Sequence, residues 1–198
     1  MRRRSPCFAA VLAGAALLAA CARGPGPQYY RLAAGEAGPV PAARSELGLA
    51  VGPNGFPRYL ERPEIATRDG AQELVFANDQ RWAGSLRDDF SRVLADELGR
   101  RLGTSRVALY PSEPRFRVDY RVLVDVLAFE GAPGESVTLR ARWLVAGGDG
   151  RALLTEESRV EEPVAAPGYP GLVSAHASAL SRLAGEIAGG IATLPGAR

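Results

Sequence analysis

The strongest constraint on the fold is a run in which apolar and polar side chains alternate with a period of two. One face of this run is apolar throughout, and the other is largely charged. The apolar set is Phe116, Val118, Tyr120, Val122, Val124 and Val126, and the intervening set is Arg115, Arg117, Asp119, Arg121, Leu123 and Asp125. This pattern predicts a half-buried antiparallel strand with one face in water.

Two more segments continue the alternation. Glycine-containing turns at residues 131–134 and 147–150 separate apparent strands at 137–145 and 153–160. The cluster Gly147-Gly148-Asp149-Gly150 contains the glycines of a phosphate-binding loop, but its position between two alternating strands favours a hairpin turn. The three segments therefore predict a meander with one wet face.

Two segments have a helical period instead. Residues 85–103 place Leu86, Phe90 and Leu94 on one face, with Ser85 as N-cap and Gly103 as the stop. Residues 169–194 repeat the pattern. Two amphipathic helices and these strands predict an α+β two-layer sandwich, in which both helices cover one face of a mainly antiparallel sheet.

The remaining segments are short. Strands are expected at 28–32, 47–51, 73–77 and 107–110, and a Gly/Pro/Ala loop at 35–44. Pro57 and Pro63 interrupt the stretch 56–68, which predicts a connecting loop with an edge strand at 65–68.

The amino terminus reads as a secretory signal. Three arginines precede an apolar run of 13 residues from 8 to 20, too short for a transmembrane helix. The run ends in Leu18-Ala19-Ala20-Cys21, similar to the lipobox of bacterial lipoproteins, which directs diacylglyceryl transfer to the cysteine. An ordinary signal with a chance cysteine is the alternative. The lipobox predicts a signal peptide at 1–20, a lipidated Cys21, a tether at 21–27 and one domain at 28–198.

Charge balance and cysteine usage exclude further kinds of function and chemistry. Without the three signal arginines, 21 basic residues stand against 22 acidic ones, so the mature chain has no basic field that would indicate nucleic-acid binding. Cys7 leaves with the signal and Cys21 carries the lipid, which leaves the domain with neither a thiol nor a disulfide.

The sequence contains no recognisable catalytic motif or metal-ligand spacing. The single histidine, His176, lies among small residues and is interpreted as structural. Asp119 and Asp125 are about 20 Å apart along one strand, too far for paired acid–base work. We therefore expect a non-enzymatic protein with no cofactor and no metal. The acidic run at 156–162 is interpreted as a solvated edge.

Arginines and aromatic residues gather outside the regular elements. We identify Tyr59, Arg62, Arg68 and Trp82 as a candidate partner interface, because these residue types dominate protein interfaces. For Trp82, packing at the start of the first helix is the alternative.

The order of several segments resembles the PqiC/YmbA lipoproteins, auxiliary components of ABC-type systems that work with MCE proteins. The segments are the lipobox, Gln28-Tyr29-Tyr30-Arg31-Leu32, Gly52-Pro53, residues 57–68, and Arg81-Trp82-Ala83-Gly84-Ser85-Leu86. Gly84 stands where the family pattern leads us to expect an acidic residue.

The resemblance implies an adaptor in lipid transport between membranes, with an MCE-domain protein and an ABC permease and ATPase as partners. It also allows a homo-oligomer. Ala22, rather than Asp, after the cysteine implies the outer membrane, facing the periplasm, over the inner membrane. The alternative is an envelope lipoprotein that itself binds a small apolar ligand or assists envelope assembly.

Overall fold

The structure, a computed structural model, describes residues 26–34, 45–52, 54–70 and 72–195. The predicted signal peptide, Cys21 and the predicted loop 35–44 lie outside these residues. Within them the chain forms eight strands, two α-helices and a short 3-10 helix. The strands are β1 (Gln28–Tyr30), β2 (Leu49–Val51), β3 (Glu64–Asp69), β4 (Glu73–Trp82), β5 (Val107–Leu109), β6 (Tyr120–Gly131), β7 (Ser136–Gly147) and β8 (Ala152–Pro163). The helices are the 3-10 helix (Arg58–Glu61), α1 (Leu86–Leu102) and α2 (Gly168–Ala192).

The predicted meander is confirmed. β6, β7 and β8 pair antiparallel along most of their length. The 147–150 cluster forms the hairpin turn between β7 and β8, closed by a 2.8 Å bond from the Gly150 N–H to the Gly147 carbonyl. Two long antiparallel strand pairs therefore share β7, as the alternating pattern predicts.

The other edge of β6 is shared by two strands. β2 pairs with its first residues (Leu49 opposite Tyr120), and β3 pairs with its last residue (Thr67 opposite Gly131). An isolated bridge from Gly55 to Asp125 lies between them. β5 continues the sheet beyond β2, and β4 and then β1 continue it beyond β3.

The sheet is mixed. The long pairings β3–β4, β6–β7 and β7–β8 are antiparallel, whereas β1–β4, β2–β5, β2–β6 and β3–β6 are parallel and short. The predicted α+β class with two helices is thus confirmed, with parallel pairings that the alternation pattern did not indicate.

Three strand predictions need correction. The segment at 65–68 is not an edge strand, because β3 lies between β4 and β6. β4 continues past residue 77 to Trp82, where residues 80–82 pair with β1 and Arg81 also pairs with Glu64 of β3. β6 begins at Tyr120 rather than 115 and runs on to Gly131 through a register shift between Val126 and Ala128.

α1 begins and ends at its predicted capping residues. The Ser85 hydroxyl accepts a hydrogen bond from the Asp88 N–H at the start of α1, and Gly103 ends it with a φ of 65°. Phe90 on α1 and His176 on α2 both contact the ring of Phe129 on β6. Both helices therefore cover the same face of the sheet. None of the helices in the described residues is long and apolar enough to cross a membrane.

Candidate interaction surface

The segment between β2 and β3 is built on the 3-10 helix. Pro57 precedes it with an extended conformation, and its carbonyl accepts a 3.0 Å bond from the Leu60 N–H. Leu60 is buried, and Phe56 packs edge-on against Phe90 with ring centroids 5.1 Å apart. The segment is thus fixed to the core by two apolar side chains, while Arg58 remains exposed.

Tyr59 connects this helix to β6. Its hydroxyl donates a 2.6 Å hydrogen bond to Oε2 of Glu130, and the same oxygen accepts a 2.8 Å bond from the Phe129 N–H. Burial, followed by the hydrogen bond to Glu130 and the charge of its carboxylate, raises the pKa of Tyr59 well above its ordinary value. The phenol therefore remains a donor across the physiological pH range.

Arg68 reaches the same region from β3. Its Nη2 donates a 3.0 Å hydrogen bond to Oγ1 of Thr138 on β7. Thr138 lies opposite Glu130, the acceptor of the Tyr59 hydroxyl, in the β6–β7 pairing. The positive charge of Arg68 opposes the rise in the pKa of Tyr59. Tyr59 and Arg68 are therefore brought together at the end of β6.

Arg62, directly after the 3-10 helix, is the more exposed member. Its guanidinium lies 4.3 Å from the centroid of the Phe76 ring, and its Nε is 3.3 Å from Oε2 of Glu64. The side chain is still 54% exposed. The pKa of Glu64 is lowered, first by a hydrogen bond to its own backbone N–H and then by the neighbouring charges of Arg62 and Arg81. Arg62 thus presents a charged, pre-oriented group to solvent.

Trp82 is turned into the core. It is 4% exposed, and its ring lies edge-on to His176 with centroids 5.6 Å apart. Its accessible surface is therefore too small for direct contact with a partner. This burial agrees with the alternative prediction for Trp82, in which the side chain packs in the fold at the start of α1.

His176 is a core residue. It is 1% exposed, its Nδ1 lies 2.8 Å from the Leu172 carbonyl, and it touches the rings of Trp82 and Phe129. Burial lowers its pKa to about 4, so the imidazole is neutral at physiological pH.

The arrangement offers recognition groups. The Tyr59 hydroxyl and Nη2 of Arg68 are hydrogen-bonded within the fold, and the side chain of Arg62 is 54% exposed. Among the described residues, no group of three or more His, Cys, Asp and Glu is placed to hold a metal ion. The chemistry of this surface is charge and cation–π contact.

Sequence reasoning did not identify Glu130, Thr138, Glu64 or Phe76 as neighbours of these residues. For Glu130 a signal existed. Leu127, Ala128 and Phe129 are three consecutive apolar residues that break the alternation, and the register shift of β6 occurs there. Such a break indicates a bulge, which turns the following side chain in a new direction.

Comparison with known proteins gives a family and a fold. The sequence model of the family described as "ABC-type transport auxiliary lipoprotein component" matches residues 30–188, from the end of β1 into α2. The crystal structure of an uncharacterized protein shares 20% identity, with 84% of this chain and 99% of that chain aligned at a TM-score of 0.69.

Protein XCC0632 from Xanthomonas campestris, of the family DUF330, shares 20% identity over 83% of this chain and 91% of that chain, with a TM-score of 0.60. At these identities the likeness establishes the shared fold. No curated protein sequence gave a significant match.

Proposed function

Because the chain belongs to the family of ABC-type transport auxiliary lipoprotein components, we propose that it is a lipid-anchored adaptor that docks an MCE-type transporter. It acts by tethering and protein contact, without catalysis, in moving lipids between membranes. The observation that carries this proposal is the family match over almost the entire folded domain. The MCE partner follows from the resemblance to the PqiC/YmbA lipoproteins.

The position of Cys21 supports the tethering role. It precedes the first residue of β1, Gln28, by seven positions. Seven extended residues span about 25 Å at most. An acylated Cys21 therefore holds the β1 edge of the sheet within that distance of the bilayer, facing the periplasm from the outer membrane.

Docking is assigned to the surface around the 3-10 helix. Arg62 supplies an exposed charge held over Phe76, and the Tyr59–Glu130 bond fixes the helix that precedes it. Arginine and aromatic groups in a fixed arrangement are typical of interface anchors. Tyr59 and Arg68 contribute by holding this surface in shape.

Two cysteine variants test the anchor. Cys21→Ser removes the proposed lipidation site, and Cys7→Ser, inside the signal peptide, is the matched control. We expect both variants to fold, and only Cys21→Ser to appear in the soluble periplasmic fraction and to lose transport function. Full transport function from a soluble Cys21→Ser protein would contradict the tethering model.

Partner capture tests the adaptor role. Detergent-extracted full-length protein should recover an MCE-domain protein together with the permease or ATPase. Recovery of none of these would contradict the proposal. Native mass spectrometry of the purified protein separates docking from direct carriage, because a retained lipid would favour the ligand-binding alternative.

A further inference from the structure

The direction of β1 fixes the end of the sheet at which the anchored chain enters the domain. β1 pairs parallel with β4, and Gln28 lies opposite Gln80. The chain before Gln28 therefore enters from the end of the sheet where β4 begins, at the turn that joins β3 to β4. The strand residues beside this turn, 67–69 on β3 and 73–76 on β4, are called the hairpin tip.

The length of the chain before β1 matches the length of this hairpin. Glu73, the first residue of β4, precedes Gln80 by seven positions, which span about 23 Å in a strand. Cys21 precedes Gln28 by the same number of positions, and seven extended residues span about 25 Å at most. In an upright domain, an anchored Cys21 therefore holds the hairpin tip at the bilayer surface.

Exposed apolar side chains collect at the same place. Among the described residues, five large apolar side chains are exposed, and three of them, Tyr29, Leu74 and Val75, lie on β1 and at the start of β4. Leu74 is 37% exposed and Val75 is 42% exposed. Successive strand residues point to opposite faces, so the tip carries an apolar group on each side.

The neighbouring side chains of the hairpin are engaged within the fold. The guanidinium of Arg62 lies 4.3 Å from the centroid of the Phe76 ring, and Arg68 donates a 3.0 Å hydrogen bond to β7. The apolar surface that the tip offers is therefore limited to Leu74 and Val75.

The charges of the tip select the kind of lipid surface. Asp69 lies opposite Glu73 across the hairpin, beside the turn, and both are exposed. The negative potential of anionic headgroups repels two carboxylates at this position. Zwitterionic headgroups impose no such repulsion, so the contact depends on apolar insertion and not on attraction of basic residues.

We propose that the hairpin tip inserts Leu74 and Val75 into the headgroup layer of the bilayer that holds the anchor. This inference rests on the proposed lipidation of Cys21 and adds to it an orientation of the domain. The anchor supplies the affinity, because two partly exposed side chains are too small to hold a domain on a bilayer by themselves. The tip fixes the angle of the sheet to the membrane.

A bilayer fits this tip better than a protein surface. Leu74 and Val75 point to opposite faces of the hairpin, and a lipid layer surrounds a projecting tip on both faces, whereas a protein surface covers one. The seven-residue link to Cys21 also brings lipid to the tip in every anchored molecule. A second copy or a partner protein would have to be recruited to the same place.

Site-specific labelling tests the contact. The mature chain has no cysteine besides Cys21, whose thiol the lipid blocks, so a single introduced cysteine takes up the fluorophore. Val75→Cys probes the tip, and Leu153→Cys is the matched control, because both side chains are 42% exposed. Leu153 begins β8, at the other end of the sheet and toward its other edge.

The full-length lipoprotein is reconstituted into vesicles of phosphatidylcholine and phosphatidylethanolamine that contain brominated lipid as a quencher. We expect a polarity-sensitive label at position 75 to shift to shorter wavelengths and to lose fluorescence to the brominated lipid. The label at position 153 should do neither. Adding phosphatidylglycerol should reduce the quenching at position 75, because Asp69 and Glu73 oppose an anionic surface.

Hydrogen exchange on the protein without an introduced cysteine gives a second measurement that leaves the tip unchanged. The amides of residues 73–76 should exchange roughly tenfold more slowly in vesicle-bound wild type than in soluble Cys21→Ser protein. The amides of residues 153–155 should exchange equally in the two samples.

The outcomes distinguish this contact from the proposed anchor. A vesicle-bound protein whose labels at 75 and 153 respond alike would overturn the tip contact and leave the anchor and the adaptor role standing. A wavelength shift at position 75 in Cys21→Ser protein without vesicles would assign the tip to a second copy and overturn the proposal. Stronger quenching in phosphatidylglycerol would overturn the assignment to a zwitterionic surface. Failure of the full-length protein to associate with vesicles would overturn both the contact and the anchor.

Discussion

The phenol of Tyr59 donates a 2.6 Å hydrogen bond to Glu130, a carboxylate that is 9% exposed and lies 71 residues further along the chain. The bond joins the 3-10 helix to the end of β6, in the part of its edge between the pairings with β2 and β3. It therefore stabilises the segment from which Arg62 projects.

Tyr59→Phe should lower the free energy of unfolding by about 1–2 kcal/mol, because a buried carboxylate loses a donor. Tyr29→Phe is the control, since Tyr29 is 61% exposed and should change stability by less than about 0.5 kcal/mol. Urea unfolding of both variants measures the difference. Equal stability of Tyr59→Phe and wild type would show that the bond contributes nothing.

Arg62→Ala should weaken binding to the transport partner while leaving stability within about 0.5 kcal/mol of wild type, because a half-exposed side chain is removed. Arg58→Ala, four positions earlier on the same segment, is the matched control for general charge loss. Binding is measured with the captured MCE-domain protein. Wild-type affinity in Arg62→Ala would remove this residue from the interface.

His176 makes stability depend on pH in a defined window. Burial lowers its pKa to about 4 in the folded protein, whereas an unfolded histidine has a pKa of about 6.5. The unfolded state thus binds more protons between these values, and the free energy of unfolding falls by about 3 kcal/mol as pH drops from 6.5 to 4.

The single histidine allows a direct measurement. Its ring resonances in the folded protein should titrate near pH 4, and His176→Phe should flatten the pH dependence of unfolding between 4 and 6.5. A folded-state midpoint near 6.5 would contradict the burial argument.

Adjacent glycines on α2 should respond oppositely to alanine. A Cβ at Gly190 would lie 2.7 Å from Cδ2 of Leu154 and 3.0 Å from the Trp143 ring, whereas one at Gly189 would meet nothing within 4 Å. We expect Gly189→Ala to raise the free energy of unfolding by about 0.5–1 kcal/mol, and Gly190→Ala to lower it by about 1 kcal/mol. Thermal unfolding of the pair checks this, and a stabilised Gly190→Ala would show that the Trp143 contact yields readily.

The local patterns of the sequence predicted several elements well. Ser85 and Gly103 marked the ends of α1, and the glycine cluster at 147–150 marked the β7–β8 hairpin, because caps and turns depend on neighbouring residues. The polar stretch from Asn78 to Arg81 concealed the second half of β4, since its strand conformation depends on pairing with distant strands. Local sequence patterns also failed to predict the burial of Trp82. The direction of its side chain depends on packing against α2, which lies far away in the sequence.

The sequence alone predicted the two helices, the meander, the caps of α1 and the β7–β8 turn, since each depends on residues a few positions apart. The lipobox at Cys21 stays a prediction of the sequence, because it lies outside the described residues. Tertiary structure decided the rest. It placed β2 and β3 side by side on one edge of β6, brought Tyr59 to Glu130, buried Trp82 against His176 and left the edge of β8 open. These relationships join residues up to roughly a hundred positions apart, and only the competition among all strands and helices for one apolar core selects them.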